Sequence, residues 1–255
     1  MDGLYYDVSF DSSSPETIGW KTATIPVLTH PTQNRGRFSI PNRDGELLGA
    51  DKWSGNAFVT CTFHTRAHVM NGAFGRYADD LGTKINDFYM YLKDKKKLRI
   101  SHRDNYIEPW STDGYYEILQ YTITNETYMM NDYVRIEVQF EVYPYKFYPS
   151  GDDFISAQVV TTLFDDSKPY YKIIASTTGG TVTLTVNDYE MTINVPADDN
   201  NVDIDTRRQI AFDSSKRPVV VSGDYTKLYI KRGIQNSIVL TGGALSYQPK
   251  WGYKL

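Results

Sequence analysis

Two clusters carry the residue types for metal or acid–base chemistry. His64 and His68 stand four apart, the spacing of two ligands on one helix face. The residues around them point elsewhere. Ala57–Arg66 (AFVTCTFHTR) alternates as a strand, which puts His64 on the strand and His68 in the loop after it. The rings then need not converge, and no third ligand accompanies them. The second cluster is Asp198-Asp-Asn-Asn-Val-Asp-Ile-Asp205. A calcium loop begun at Asp199 finds Asn201 and Asp203 in register. It also finds Ile204 where the glycine belongs and Ile210 where the bidentate glutamate belongs. The cluster reads better as a loop entering an alternating strand, so neither a metal nor a cofactor is expected. No G-x-S-x-G elbow, phosphate loop or dinucleotide fingerprint is present, and Gly179-Gly180 and Gly242-Gly243 read as β-turns. Carboxylates are numerous, but nothing singles out two as a glycosidase pair. The lysines between 93 and 97 could touch a polyanion, but read better as a solvated turn closing a helix. No catalytic residue is nominated.

Composition narrows the classes further. The chain has 255 residues and a formal charge of -4, enough length for one large domain or two ordinary ones. Residues 1–150 hold 16 basic and 19 acidic side chains; 151–255 hold 11 and 12. Neither half has the positive excess of a dedicated nucleic-acid or membrane binder. Cys61 is the only cysteine, so an intramolecular disulfide and a multi-cysteine zinc site are both impossible. No apolar run reaches the roughly 18–20 residues of a membrane helix. The start, MDGLYYDVSFD, is acidic and alternating, unlike a signal peptide, and synthesis in a cytoplasm is expected. The 21 tyrosines suit an all-β protein, since tyrosine favours strands.

The elements follow from hydrophobic period. Strands are expected at Leu4–Phe10, Lys21–Leu28 and Ala57–Arg66, with a short strand entering the turn Ile40-Pro-Asn-Arg-Asp-Gly45. One helix is predicted over Asp79–Lys93 from the three–four rhythm of Leu81, Ile85, Phe88, Tyr89 and Leu92, despite Gly82. Strands at Leu98–His102, Tyr115–Asn125 and Asp132–Val142 follow. In the last, Val134, Ile136, Val138, Phe140 and Val142 face one way; Arg135, Glu137, Gln139 and Glu141 face the other. Pro144 and Pro149 then predict that regular pairing stops, which sets a domain boundary at 150. Beyond it, short strands are expected at Tyr170–Ala175, 182–186, 191–195, 202–204, Gln209–Asp213, Val219–Ser222, Lys227–Ile230, Ser237–Thr241 and Ala244–Gln248. Such strands, with turn residues every eight to twelve positions, predict a β-sandwich.

The order of these pieces resembles the distal tail (Dit) proteins of long-tailed siphophages. The early strands with the 40–45 turn, the strand 57–66, the single helix feeding strand 98–102, the segment VYPYKFYP (142–149) and the all-β second half carry the resemblance across nearly the whole chain. It implies an all-β fold with one helix: an N-terminal ring-forming belt β-sandwich (1–150) and a C-terminal galectin-like β-sandwich (151–255). It implies a non-enzymatic virion protein at the distal end of the tail, assembled in the host cytoplasm as a homo-hexamer. Its partners would be the major tail tube protein, the tail-associated lysin or hub, baseplate or receptor-binding proteins, and the tape measure protein. DNA would pass through without being specifically bound, and no membrane would be involved. A closed ring needs one face of a subunit to match the opposite face of the next. Its contacts are expected in the 41–46 turn, with Arg43 and Asp44, and on the polar face Arg135, Glu137 and Glu141.

The rival reading is a carbohydrate-binding module for a host surface glycan; a carbohydrate-active enzyme stands third. The usual galectin sugar constellation is absent, because all four histidines precede the break and Trp251 is the only tryptophan after it. Tyr170, Tyr171, Tyr225, Tyr229 and Tyr247 could still form another aromatic sugar platform.

Overall fold

The computed structural model describes residues 6–29, 55–67, 77–102, 114–129 and 132–254, together with four short strands between 33 and 53. The protein is all-β with one helix. It divides into two compact units, Met1–Lys146 and Phe147–Lys254.

The first unit contains β1 (Tyr6–Phe10), β2 (Lys21–Thr22), β3 (Val27–Thr29), β4 (Gln33–Asn34), β5 (Arg37–Ser39), β6 (Glu46–Leu48), β7 (Lys52–Trp53) and β8 (Ala57–Arg66). Helix α1 (Tyr77–Leu92), β9 (Lys97–His102), β10 (Tyr115–Met129) and β11 (Tyr133–Phe147) follow. One sheet runs β1-β9-β10-β11-β8-β2, and β3 also pairs with β8. Strict alternation drives this sheet. Val59, Cys61 and Phe63 of β8 and Val134, Ile136, Val138 and Phe140 of β11 are all buried, and helix α1 closes over them with Leu81, Ile85, Phe88 and Leu92. Trp20 stacks on Phe88 at 4.4 Å and donates its indole N–H to the Lys84 carbonyl at 3.2 Å. After the helix, the Asp11 carboxylate accepts the backbone N–H groups of Lys96 at 3.0 Å and Lys97 at 2.8 Å, which turns the chain into β9.

The second unit contains β12 (Val159–Thr161), β13 (Tyr170–Ala175), β14 (Thr181–Val186), β15 (Tyr189–Asn194), β16 (Asn201–Asp205), β17 (Ile210–Asp213), β18 (Val221–Ser222), β19 (Gln235–Thr241), β20 (Gly243–Gln248) and β21 (Gly252–Lys254). Sheets β12-β19-β14-β15-β18 and β17-β16-β13-β20 enclose one apolar core that includes Tyr171, Ile173, Leu184, Met191, Ile193, Val202, Ile204 and Ile238. This is the predicted sandwich. Its buried Asn236 and Thr206 side chains are satisfied, as burial demands, while the buried Ser167 hydroxyl has no partner among the described residues. Asn236 accepts the N–H of Lys231 at 2.9 Å and donates to the carbonyls of Lys231 at 2.9 Å and Ile234 at 3.1 Å, which fixes the turn before β19. Thr206 donates to the Pro169 carbonyl at 2.7 Å.

Three expectations are corrected. Lys21–Leu28 is two short strands, not one: Pro26 has no N–H to give, and pairing with β8 resumes at Val27. Lys227–Ile230 is not a strand. Asp224 accepts the Thr226 N–H at 2.9 Å and caps a 3-10 turn over Tyr225–Leu228. Strand β11 runs through Pro144 to Phe147. Its ladder with β8 ends at Val142↔Ala57, so Pro144 removes no donor from that ladder. The turn at 40–45 lies outside the described residues, between the paired strands β5 and β6.

Two glycines give opposite predictions. A Cβ at Gly82 in α1 would meet nothing within 4 Å, so Gly82→Ala should raise stability by about 0.5–1 kcal/mol through helix propensity. A Cβ at Gly151 would come within 2.2 Å of the Trp251 backbone nitrogen, so Gly151→Ala should cost about 1–3 kcal/mol. Urea midpoints of the two variants check both signs.

Candidate functional site

Ten consecutive antiparallel pairs join β11 to β8, from Tyr133↔Arg66 to Val142↔Ala57. Alternation sends the apolar members to the core and leaves an outer face. Arg135 sits opposite His64, Glu137 opposite Thr62, Gln139 opposite Thr60, and Glu141 opposite Phe58. The predicted residues Arg135, Glu137 and Glu141 therefore share one face. Arg43 and Asp44 lie outside the described residues, as does His68.

Charge on this face is zoned along the strands. At one end, Lys21, Arg66 and Arg135 surround His64, and none of the three has an ion pair among the described residues. His64 stacks on Tyr133 at 5.4 Å, and the Arg66 guanidinium lies 5.8 Å from the same ring. A cleft of about 670 Å³ opens here, lined by Lys21, His64, Arg66, Lys84 and Tyr133 among others. The buried His64 Nδ1 has no partner among the described residues.

At the other end, carboxylates are held by neutral donors. The Glu141 carboxylate accepts from the side-chain amides of Asn56 and Gln120, and these bonds hold its carboxyl below the ordinary value. Glu137 accepts from the Thr124 hydroxyl at 2.7 Å.

The second unit presents a cleft of different chemistry. The solvent side of β13, β16 and β17 bounds an open cleft of about 620 Å³ whose lining includes Tyr170, Phe212, Tyr225, Asp205, Arg208 and Lys216. Of the five tyrosines named from the sequence, Tyr170 and Tyr225 line this cleft. Tyr171 and Tyr247 do not: both are fully buried and donate to the carbonyls of Leu228 at 2.7 Å and Ala157 at 2.9 Å. Tyr229 lies under the Lys168 ammonium at 5.7 Å. The sequence reading missed Phe212, Arg208 and Lys216. Their signal was the β16–β17 hairpin, which folds them back beside Tyr170.

The Asp198–Asp205 cluster is occupied by its own fold. Asp199 accepts the backbone N–H groups of Asn201 and Ser214, each at 2.9 Å, and Asp198 pairs with Arg217 at 2.8 Å. Among the described residues no three His, Cys, Asp or Glu side chains are grouped to hold a metal ion. The lysines after α1 are engaged too. Lys95 and Lys97 lie over the rings of Tyr91 and Tyr115, each at 4.3 Å.

No family model matches the chain, and no curated protein matches it either. The fold is Dit-like. The crystal structure of the Dit protein (gp 19.1) of SPP1, described as a paradigm of the hub adsorption apparatus in phages infecting Gram-positive bacteria, superposes with a TM-score of 0.58. The match covers 98% of this chain and 99% of that one, at 12% identity. What the two chains share is the Dit-like architecture, in the all-β class with one helix that the sequence predicted.

The cationic zone makes a prediction about His64. Burial first, then the positive charges of Lys21, Arg66 and Arg135, hold its pKa below the ordinary 6.5. With the folded pKa below the unfolded one, the unfolded chain takes up the proton first as pH falls. The stability contribution of neutral His64 is thus complete above pH 6.5 and is lost as pH falls toward the folded pKa. An NMR titration should place the His64 midpoint below 6.5, and His64→Gln should flatten the loss of stability on mild acidification. A midpoint at or above 6.5 would contradict the cationic crowding.

Proposed function

We propose that this chain is a distal tail adaptor of a long-tailed phage, a structural and non-enzymatic protein of the virion. The observation that carries the reading is the Dit-like fold, matched over nearly the full length of both chains. In this reading the first unit is a belt domain, and six copies close into a ring at the tail tip. The ring joins the tail tube to the hub or tail-associated lysin and to the receptor-binding apparatus, and DNA passes through its opening. The second unit is the attachment platform of each subunit.

The zoned face of β8 and β11 supports the ring contact. A closed ring is built from a heterologous interface, in which two different patches meet. The cations of this face, which have no ion pair among the described residues, and its carboxylates Glu137 and Glu141 supply one such patch, to be met by the opposite side of the next subunit. Charge at interfaces mainly fixes register and excludes wrong partners. The reading therefore assigns Arg135, Glu137 and Glu141 to that patch.

Light scattering with negative-stain imaging tests the assembly. Six-fold rings are expected at high protein concentration. Arg135→Glu or Glu137→Lys alone should raise the concentration needed for assembly by about tenfold or more through like-charge contact. Rings indifferent to both variants would move the contact off this face.

A further inference from the structure

The cleft of the second unit lies on the outer face of a sheet, where alternation ordinarily leaves polar side chains in water. Here that face carries aromatic rings. Tyr170 of β13 and Phe212 of β17 are 6.4 Å apart between ring centres, and Phe154, half exposed, meets Tyr170 from the other side at 6.4 Å. Tyr225 adds a further ring to the cleft wall.

Polar groups of both kinds surround the rings. Burial, and then its hydrogen bond to Asp203, raise the Tyr170 phenol and keep it a hydroxyl. Asp203 also faces the Lys216 ammonium at 3.6 Å, and that ammonium lies 4.1 Å from the Phe212 ring centre. Asp205 accepts the backbone N–H groups of Arg207 at 3.1 Å and Arg208 at 3.0 Å. It thereby pins the turn that carries Arg208, whose guanidinium is largely exposed and 3.7 Å from the same carboxylate. The turn is tight enough that Gln209 adopts a φ of 57°. The wall is therefore organised before any ligand arrives, which lowers the cost of binding.

We infer that this cleft is a binding site for a neutral saccharide. Three features select that class. The volume falls within the roughly 300–1,000 Å³ of small-ligand pockets. The two cations of the wall are each set against a carboxylate, Arg208 at 3.7 Å from Asp205 and Lys216 at 3.6 Å from Asp203, which does not itself line the cleft, so the site exerts little net pull on an anion such as a phosphate or a nucleotide. A sugar ring offers an apolar C–H face to Tyr170, Phe212 or Tyr225. Its rim of hydroxyls both donates and accepts, matching carboxylates on one side and N–H donors on the other. This site is argued from the second unit alone and does not depend on ring formation. At a phage tail tip it would add glycan contact at the cell surface to the adaptor role.

The test uses the full-length chain and methyl glycosides of glucose, galactose, N-acetylglucosamine and rhamnose, read by amide shift changes in two-dimensional NMR. At least one sugar should shift amides at Tyr170, 205–212 and Lys216, with saturable binding. Arg208→Ala, which changes an exposed side chain, should weaken that binding by about tenfold, the effect of one charge-assisted hydrogen bond. Phe212→Ala should abolish it, with the thermal transition of each variant confirming the fold. The inference is overturned if no sugar shifts these amides, if the shifts fall elsewhere, or if Arg208→Ala binds as well as the parent. Binding of N-acetylneuraminate in preference to every neutral sugar would overturn the assignment of a neutral ligand. Rings that assemble without sugar binding would refute this inference and leave the adaptor reading standing.

Discussion

The register between β8 and β11 is the constraint on which the first unit depends. Ten residue pairs are locked in one alternation, and seven of the apolar side chains they bury are Val59, Cys61, Phe63, Val134, Ile136, Val138 and Phe140. Each such burial stabilises by about 1–3 kcal/mol, so the register is strongly determined. A slip of one residue would send Arg135, Glu137 and Glu141 into the core and turn the valines to water. The core and the charged outer face are therefore one decision made by one sequence. Helix α1 and Trp20 complete that decision, because Phe88 and Trp20 stack over the same apolar surface that the ladder creates.

Within that constraint the outer face is free to vary, and its pattern is uneven. Three cations with no ion pair among the described residues stand around a half-buried histidine, in a chain whose net charge is negative. Like charges held together work against the isolated subunit, since each raises the free energy of the next. The carboxylates a few residues along the same strand could have relieved this by pairing with the cations. Instead they take their hydrogen bonds from amides and a hydroxyl: Asn56, Gln120 and Thr124. Such bonds satisfy a carboxylate's lone pairs without cancelling its charge. The carboxylates are thus satisfied locally while the charges of the face stay uncompensated among the described residues, the state in which a complementary surface has the most to gain.

Much of this was legible in the sequence, and the limits have physical causes. Strict period-two runs such as Ala57–Arg66 and 134–142 could be read directly, because each has one buried and one wet face and little room for another conformation. Helix α1 was readable because its rhythm survives Gly82, a residue that no close packing requires. Lys227–Ile230 was misread because strand propensity was weighed without the cap: Asp224, two residues ahead of Thr226, takes the backbone into a turn instead. Pro144 was read as a stop because sequence does not show that β8 has already ended its pairing at Ala57. Of the five tyrosines, sequence could not say which faced inward. Tyr170 and Tyr171 are adjacent on β13, and alternation gives one to the cleft and the other to the core.

That last pair shows how a site can arise from the same rule that builds the core. Tyr171 is fully buried and spends its hydroxyl on the Leu228 carbonyl, so its role is structural. One residue earlier, Tyr170 points to solvent and would ordinarily be a polar or small residue, since an exposed ring gains little from folding. Its hydroxyl is committed to Asp203 and its ring to Phe154 and Phe212. The hairpin that brings Phe212 alongside is fixed by Asp205, whose side chain holds the turn. These groups add little to the sandwich core, which is already closed beneath them by Tyr171, Ile173, Val202 and Ile204. Aromatic surface organised in this way, with its charges balanced at the rim, makes little sense as stability alone. It is accounted for by a ligand that has an apolar face and a hydroxylated edge.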